Sequence, residues 1–174
     1  MNENIISKKE LNFILKFIHI NEDLFVENGV SPNRKYITLH KKLNPLNIFF
    51  DIKKRILIKE NILDNYVDDI FSHGDFFGDY IGIITNGGKI HHHIDEKPTK
   101  YNLVRFNLFL SIPEKGGFPI YNEVTIPVIV GDYVRCNSSK EYHECEMVEG
   151  NIPRIVISYG IYLKQEKNKL ITYQ

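Results

Sequence analysis

Residues 80–95 read YIGIITNGGKIHHHID, and this stretch decides the fold that the sequence predicts. It contains two short apolar runs on either side of Asn86-Gly87-Gly88. Glycines in such a turn supply the positive φ that tight hairpins need. We therefore predict strands at residues 79–85 and 89–95, with a turn between them.

The strand-like pattern continues to residue 163, with Gly116-Gly117 and Gly131-Asp132 among the turn sequences that interrupt it. Runs of β-branched and aromatic residues bounded by glycine, proline and asparagine are typical of short strands. Six further strands are predicted at residues 102–112, 117–121, 123–130, 132–137, 142–148 and 154–163. Eight short strands in about ninety residues indicate a mainly β fold, a jelly roll or a small barrel.

The first half of the chain reads as helical. Ser7-Lys8-Lys9-Glu10 is a capping-box sequence, which brings a hydroxyl and a carboxylate to the free amides at the start of a helix. Apolar residues follow at helical spacing, namely Leu11, Ile14, Leu15 and Ile18. A second helix with a similar apolar stripe is predicted over residues 53–71, and short extended pieces are predicted at 36–40 and 47–50.

These patterns predict a single domain spanning residues 1–174, since two domains in a chain of this length would both be small. Within it, residues 1–75 are expected to form a largely helical support region, and residues 76–165 the β core. The apolar faces of the helices are expected to cover the outer face of a sheet, because each must bury its stripe against another element.

Composition excludes several classes of protein. Lys+Arg and Asp+Glu are each 22, so the formal net charge is zero and no overall field attracts a nucleic-acid backbone. No apolar run approaches the ~20 residues of a membrane-spanning helix, and the first ten residues lack the features of a secretory signal. The two cysteines, Cys136 and Cys145, cannot form a disulfide framework. We therefore expect a cytoplasmic protein without a membrane partner.

The run of histidines offers a metal site. Alternate side chains of a strand share a face, so His91, His93 and Asp95 point to one side of the second predicted strand. His93 and Asp95 can each supply one ligand to a divalent metal, and His143, near the start of the seventh predicted strand, is the candidate third ligand. Two histidines and a carboxylate make a facial triad, the ligand set of non-haem Fe(II) oxygenases. A solvated hairpin or an adventitious metal site is the alternative for so histidine-rich a run.

Arg154 begins the eighth predicted strand, and alternation puts it on the inward face together with Val156 and Ser158. A buried arginine needs an anionic partner, and a carboxylate matches the planar fork of its guanidinium. That carboxylate could belong to a ligand or to an internal residue such as Glu144. The remaining alternative is that Arg154 lies at a solvent-facing end of the strand.

The third predicted strand shows the same division. Val104, Phe106, Leu108 and Leu110 share one face, whereas Arg105, Asn107, Phe109 and Ser111 share the other. Polar groups on an inward face are costly unless they line a cavity. The third and eighth strands together therefore predict a polar pocket inside the roll.

Motifs in the last half of the chain, taken in order, resemble those of the Fe(II)/2-oxoglutarate-dependent oxygenases. They are His93-Ile94-Asp95, the segment 105–110, Gly116-Gly117, Gly131-Asp132, Asn137-Ser138, His143, and Arg154 leading into 155–158. That family has a double-stranded β-helix (jelly-roll) fold, with a His-x-Asp at the end of its second strand, a histidine opening the seventh and a basic residue opening the eighth. The order and spacing are similar to those of the hydroxylase branch, which acts on prolyl residues, free amino acids and other small molecules.

The resemblance implies that His93, Asp95 and His143 bind Fe(II). It also implies that Arg154 binds the distal carboxylate of the cosubstrate 2-oxoglutarate, with Ser158 assisting on the same face. Dioxygen is then the second cosubstrate, and succinate and carbon dioxide are released. Halogenating relatives carry a small residue in place of the carboxylate of Asp95, so the resemblance favours hydroxylation over halogenation.

Other residues have two interpretations each. Tyr80 could donate its hydroxyl to 2-oxoglutarate or pack in the core. Arg105 could bind a substrate carboxylate or form a structural ion pair, and Asn107 is a candidate for the pocket. His91 is expected to support the ligands or form part of the pocket wall, whereas His92 is expected to face the helices as a core histidine.

The substrate is expected to be a small molecule, an amino acid or a peptide. In the family, the region corresponding to residues 1–75 shapes the substrate entrance, and this part of the chain matches no pattern that would identify the substrate. A cupin-like module that binds a metal or a small acid without catalysis is an alternative function. A nucleic-acid dealkylase of the same superfamily is another, but the zero net charge and the absence of tryptophan weigh against it.

Overall fold

The computed structural model describes residues 5–29, 31–39, 47–62, 66–67, 78–96 and 101–164. Within these ranges the strands are antiparallel and form a major sheet, a minor sheet and a short ribbon. The seven-stranded major sheet has the order β1 (Val26–Glu27), β2 (Arg34–Thr38), β4 (Tyr80–Ile84), β13 (Arg154–Lys164), β6 (Tyr101–Ser111) and β10 (Tyr133–Cys136), with β3 (Tyr66–Val67) also paired to β13.

The minor sheet lies opposite the major one across an internal cavity. Its four strands have the order β5 (Ile90–His93), β11 (His143–Cys145), β8 (Pro119–Tyr121) and β9 (Val124–Thr125). The ribbon pairs β7 (Lys115–Gly116) with β12 (Val148–Glu149). This arrangement is the double-stranded β-helix that the sequence predicts, and it confirms the predicted fold class.

Two α-helices cover the outer face of the major sheet. The first, α1 (Lys8–Ile20), begins at the predicted capping box: Ser7 Oγ accepts from the amide of Glu10, and the carboxylate of Glu10 accepts from the amide of Ser7. The second, α2 (Ile48–Lys59), presents Ile52 and Ile56 to the sheet. The carbonyl of Phe49 accepts a hydrogen bond from the buried hydroxyl of Tyr159, which joins α2 to β13.

Alternation along the two long strands divides the molecule into a helix side and a cavity side. On β13 the side chains of Ile155, Ile157, Tyr159 and Ile161 join the main core under the helices. On β6 the same core takes Val104, Phe106, Leu108 and Leu110. The opposite faces turn toward the minor sheet, as the sequence pattern predicts, because antiparallel pairing keeps paired residues on one face.

The second helix differs from its prediction over residues 53–71. It begins earlier, at Ile48, so the extended piece predicted at 47–50 is wrong: buried Phe49 and Ile52 outweigh the strand preference of the local sequence. It also ends earlier, because Asn61 adopts a positive φ of 55°. The amide of Ile62 donates to the carbonyl of Leu57 and that of Asn61 to Ile58, the Schellman arrangement that closes a helix.

Beyond this helix end, Tyr66 and Val67 form β3 where the sequence predicted helix. The remaining part of that prediction, residues 63–65 and 68–71, lies outside the described residues, as does His40 at the end of the predicted piece 36–40.

The turn at Asn86-Gly87-Gly88 has the expected positive φ, 80° at Gly87, but it does not make a hairpin. It carries the chain from β4 in the major sheet to β5 in the minor sheet. The strand predicted at 142–148 is divided into β11 and β12, and that predicted at 123–130 is reduced to the two residues of β9. Pairing partners far along the chain decide these boundaries, so local composition could not reveal them.

None of the helices within the described ranges combines the length and the apolar character that crossing a membrane requires.

Candidate active site

A cavity of about 550 Å³ lies between the two sheets. The major sheet contributes residues of β4, β6 and β13 to its wall, and the minor sheet contributes residues of β5, β8 and β11. Polar and charged side chains in the lining include those of Arg34, Tyr80, His93, Asp95, Arg105, Asn107, Tyr121, His143 and Arg154. A cavity of this volume accommodates small-molecule ligands.

The structure brings His93, Asp95 and His143 together on the wall formed by the minor sheet. Antiparallel pairing of β5 with β11 places His143 directly opposite His93, and Asp95 follows the end of β5. One potential ligand atom from each of the three residues lies within 4.8 Å of the others. The Nε2 atoms of His93 and His143 are 3.3 Å and 3.6 Å from Oδ1 of Asp95. These three side chains can therefore face a single metal ion.

Backbone carbonyls orient both imidazoles. Nδ1 of His93 is 2.6 Å from the carbonyl oxygen of His91, and Nδ1 of His143 is 3.1 Å from that of Glu141. A carbonyl oxygen only accepts, so each Nδ1 carries the hydrogen and donates it. In the neutral imidazoles Nε2 is then the atom with a free lone pair, and hydrogen bonds of this kind orient histidine ligands in metal sites.

Arg105 holds the other oxygen of Asp95. Its Nε donates to Oδ2 over 2.6 Å, and both side chains are largely buried. The guanidinium therefore fixes the rotation of the carboxylate and leaves Oδ1 facing the two histidines. The sequence left open whether Arg105 binds a substrate carboxylate or forms a structural ion pair, and the geometry shows an ion pair with Asp95.

Charges within the cluster shift its ionisation. Burial alone would raise the pKa of Asp95, but hydrogen bonds donated through Nε2 by the imidazoles of His143 and His93 in their protonated form, together with the adjacent Arg105 guanidinium, lower it far below its ordinary value. The hydrogen bond with Asp95 raises the pKa of His93. Asp95 is therefore a carboxylate at neutral pH, as a metal ligand must be.

Arg154 lies on the major sheet side of the cavity and is 5% exposed. Its guanidinium lies over the ring of Phe109, 5.1 Å from the centroid. Its buried Nε has no hydrogen-bond partner, and none of the acidic groups in the described ranges forms an ion pair with it. The alternative partner Glu144 instead lies 3.6 Å from Nδ1 of His92. A buried cation without an internal anion is suited to an anionic ligand.

Tyr80 and Ser158 pack against Arg105. The Arg105 guanidinium lies 5.3 Å from the centroid of the Tyr80 ring, and Nη1 donates to Oγ of Ser158 over 3.4 Å. Burial would raise the pKa of Tyr80, but the charges of Arg105 and Arg34 and a hydrogen bond from Ser158 lower it below its ordinary value. Tyr80 lines the cavity, whereas Ser158 does not and instead lies behind Arg105.

Asn107 lines the cavity, and its side chain contacts Tyr121, a residue that sequence reasoning missed. Its Nδ2 donates to the hydroxyl of Tyr121 over 3.1 Å. Tyr121 is opposite His143 in the pairing of β8 with β11, so its side chain shares the inward face with the candidate ligand. Burial raises the pKa of Tyr121, which keeps the phenol protonated.

Of the other two histidines of the run, only His92 departs from its expected place. His91 does not line the cavity; it acts through its carbonyl, which accepts from His93. His92 is not a core histidine, because β5 lies in the minor sheet and its outer face is not under the helices. The His92 side chain is 48% exposed and stacks on Tyr142 with ring centroids 4.5 Å apart.

Arg34 is the second lining residue that sequence reasoning missed. It lies on β2, in the region predicted as helical support, which adds an edge to the major sheet. Pairing aligns Arg34 with Ile84 of β4, and Ile84 with Arg154 of β13. The extended piece predicted at 36–40 overlaps this strand, but only the pairing shows that the strand belongs to the wall of the cavity.

Comparisons with solved structures agree with this fold. A prolyl hydroxylase from Trichoplax adhaerens, in complex with a hypoxia inducible factor peptide fragment, superimposes with a TM-score of 0.66 at 16% identity, covering 98% of this chain and 85% of that one. The viral collagen prolyl hydroxylase of Paramecium Bursaria Chlorella virus-1, solved with 2OG, has a TM-score of 0.64 at 14% identity, covering 94% of each chain.

HygX from Streptomyces hygroscopicus, with nickel and 2-oxoglutarate bound, also has a TM-score of 0.64 at 14% identity, covering 93% of this chain and 81% of that one. No protein-family model matches the chain, and no curated protein matches it by sequence. At these low identities the structural likeness shows the fold alone, a double-stranded β-helix.

Proposed function

We propose that this protein is an Fe(II)- and 2-oxoglutarate-dependent dioxygenase that hydroxylates a small molecule or an amino-acid or prolyl side chain. The observation that carries the proposal is the cluster of His93, Asp95 and His143 in the same cavity as Arg154, whose buried Nε has no partner. The shared fold of the prolyl hydroxylases and HygX supports it.

The donor set fits iron. Two imidazole nitrogens and one carboxylate oxygen form the facial triad of non-haem Fe(II) oxygenases, and three ligands leave coordination positions for a cosubstrate and dioxygen. Hydrogen bonds to carbonyls and to Arg105 hold each of these side chains in one orientation. When bound, iron with 2-oxoglutarate and dioxygen supplies an oxidant that puts one oxygen atom into a substrate C–H bond and the other into succinate, with loss of carbon dioxide.

Arg154 fits the cosubstrate. Its guanidinium would pair with the carboxylate of 2-oxoglutarate remote from the metal, giving the buried charge the anion that it lacks among the described residues. Tyr80, which lines the same cavity, would add a hydroxyl contact to this cosubstrate. Tyr121 and Asn107 would form a polar wall beside the substrate.

The first experiment tests cosubstrate binding. Under anaerobic conditions, Fe(II) and 2-oxoglutarate added to the protein are expected to give a visible metal-to-ligand charge-transfer band, and admission of oxygen to give succinate. Arg154→Ala is expected to weaken 2-oxoglutarate binding about 30- to 150-fold, because a charge-assisted hydrogen-bonded pair contributes about 2–3 kcal/mol.

Arg135→Ala is the matched control, since Arg135 is an arginine paired with Glu60 outside the cavity and should leave the band unchanged. A wild-type protein that gives neither band nor succinate would contradict the proposal. Metal binding that is indifferent to 2-oxoglutarate would favour the cupin-like binding module instead.

A further inference from the structure

Three arginines line the cavity, and among the described residues only Arg105 has an acidic partner. Arg105 is bound to Asp95, and Arg154 is assigned to the cosubstrate under the proposed function. Arg34 also lines the cavity, and its guanidinium makes no hydrogen bond or ion pair with any of the described residues. An unmatched cation in a ligand cavity points to an anionic group on the ligand.

The strand pairing shows where Arg34 lies relative to the rest of the site. Arg34, Ile84 and Arg154 form one row across β2, β4 and β13, so both arginines project from the same face of the major sheet. Two strand spacings separate their backbones by roughly 10 Å. The Arg154 guanidinium lies over Phe109 of β6, on the side of β13 remote from β2, whereas Arg34 lines a recess along β2, so the two arginines define separate anion positions.

A side recess of about 50 Å³ adjoins the Arg34 end of the main cavity. It shares Asn28, Arg34 and Tyr80 with the main cavity, and it extends along the edge strand to Tyr36 and Thr38. Burial raises the pKa of Tyr80 and the charges of Arg105 and Arg34 lower it, in keeping with the position of Arg34 beside Tyr80 in the lining of both cavities.

Among the described residues, no acidic side chain forms an ion pair with Arg34. The acidic residues of this edge, Glu22 and Glu27, lie 3.6 Å and 3.9 Å from Nζ of Lys35, which points to the opposite face of β2. Because side chains alternate along β2, Lys35 faces outward to Glu22 and Glu27, whereas Arg34 faces the cavity.

We propose that the substrate carries a free carboxylate, which Arg34 binds at the edge of the cavity formed by β2. A single guanidinium offers one planar fork, which matches the two oxygens of a carboxylate. A free carboxylate identifies the substrate as a small acid, such as a free amino acid, and not as an internal residue of a peptide. This inference rests on the proposed function.

Binding to the inactive complex tests the inference. The full chain is loaded with Mn(II) and N-oxalylglycine, and calorimetry measures the affinity of a panel of free L-amino acids and of their primary amides. The tightest acid is expected to bind about ten- to a hundredfold more strongly than its own amide. In Arg34→Gln this preference should fall to within a few fold, and Arg34→Lys should retain part of it because lysine keeps the charge without the fork.

Lys35→Gln is the matched control on the same strand and should keep the full preference for the acid. The inference is overturned if acid and amide bind equally to the wild type, if the preference survives in Arg34→Gln, or if N-oxalylglycine binds while no acid of the panel does. Failure of N-oxalylglycine to bind the wild type would instead overturn the proposed function, on which the inference depends.

Discussion

Asp95 uses its two carboxylate oxygens differently. Oδ2 accepts the short hydrogen bond from Arg105, while Oδ1 lies near the Nε2 atoms of His93 and His143. A carboxylate held in this way presents one oxygen to a metal, so the triad keeps its remaining coordination positions open. Arg105 is thus a positioning residue for the candidate metal site, because it acts through Asp95.

We expect Arg105→Gln to weaken metal binding about 10- to 100-fold, the range typical when a group that orients a metal ligand is removed. Competition with a chelator under anaerobic conditions measures the affinity for Fe(II), and circular dichroism checks that the variant is folded. Arg55→Gln serves as a control, since that arginine pairs with Glu10 on the helices. Wild-type affinity in folded Arg105→Gln would show that Asp95 needs no such support.

At the scale of the elements, Glu10 joins the two helices to one another. Its carboxylate completes the capping box of α1 and also accepts from Nη2 of Arg55 on α2 over 2.7 Å.

The hairpin of β1 and β2 widens the major sheet beyond the eight strands of the predicted roll. The region expected to be a helical cover therefore also forms part of the cavity wall.

The ionisation of Glu10 predicts an acid-dependent loss of stability. Burial would raise its pKa, but hydrogen bonds from Arg55 and Ser7 prevail and lower the pKa from 4.5 to about 2. A lowered pKa stabilises the folded state above pH 4.5, and this stabilisation is lost as the pH falls from 4.5 through 2. After allowance for solvent screening, we expect Glu10→Gln to cost about 1–2 kcal/mol at pH 6.5 and little near pH 2.

Urea unfolding of both proteins across this pH range measures the difference. Glu149→Gln is a suitable control, because its pair with Lys115 is exposed and should contribute little at any pH. A difference between wild type and Glu10→Gln that stays constant with pH would show that the carboxylate acts by packing and not by its charge.

In the whole molecule, the candidate metal ligands and the candidate cosubstrate arginine belong to different sheets. His93 and His143 are on the minor sheet, whereas Arg154 is on the major sheet. A cosubstrate that touches both the metal and Arg154 would span the cavity and link the sheets. Ligand binding should therefore stabilise the minor sheet, whose strands are short, more than the long strands of the major sheet.

We expect Mn(II) with N-oxalylglycine to slow amide hydrogen exchange in β5, β8 and β11 by about tenfold or more, as measured by mass spectrometry. Mn(II) alone should give only part of this protection, and Arg154→Ala should abolish the additional part that depends on N-oxalylglycine. Equal protection by Mn(II) with and without N-oxalylglycine would show that the cosubstrate analogue does not bridge the sheets.

The sequence by itself determined the features that depend on local periodicity. Alternation along 102–112 and 154–163 gave the correct division between helix side and cavity side, and the capping box marked the start of α1. The motifs with His93, Asp95, His143 and Arg154 identified side chains that the structure places around one cavity. These features were predictable because a strand or a helix orients its own side chains.

Only the tertiary structure decided which distant residues meet. The pairing of β2 with β4 brings Arg34 to the cavity, and the proximity of Arg105 to Asp95 gives that arginine its ion pair. The assignment of β5 to the minor sheet exposes His92, and a positive φ at Asn61 ends α2 before the apolar stripe does. Strand partners and sheet membership are set by contacts between segments far apart in the chain. Local sequence patterns show how one segment orients its own side chains, but they do not show which distant segment it will pair with.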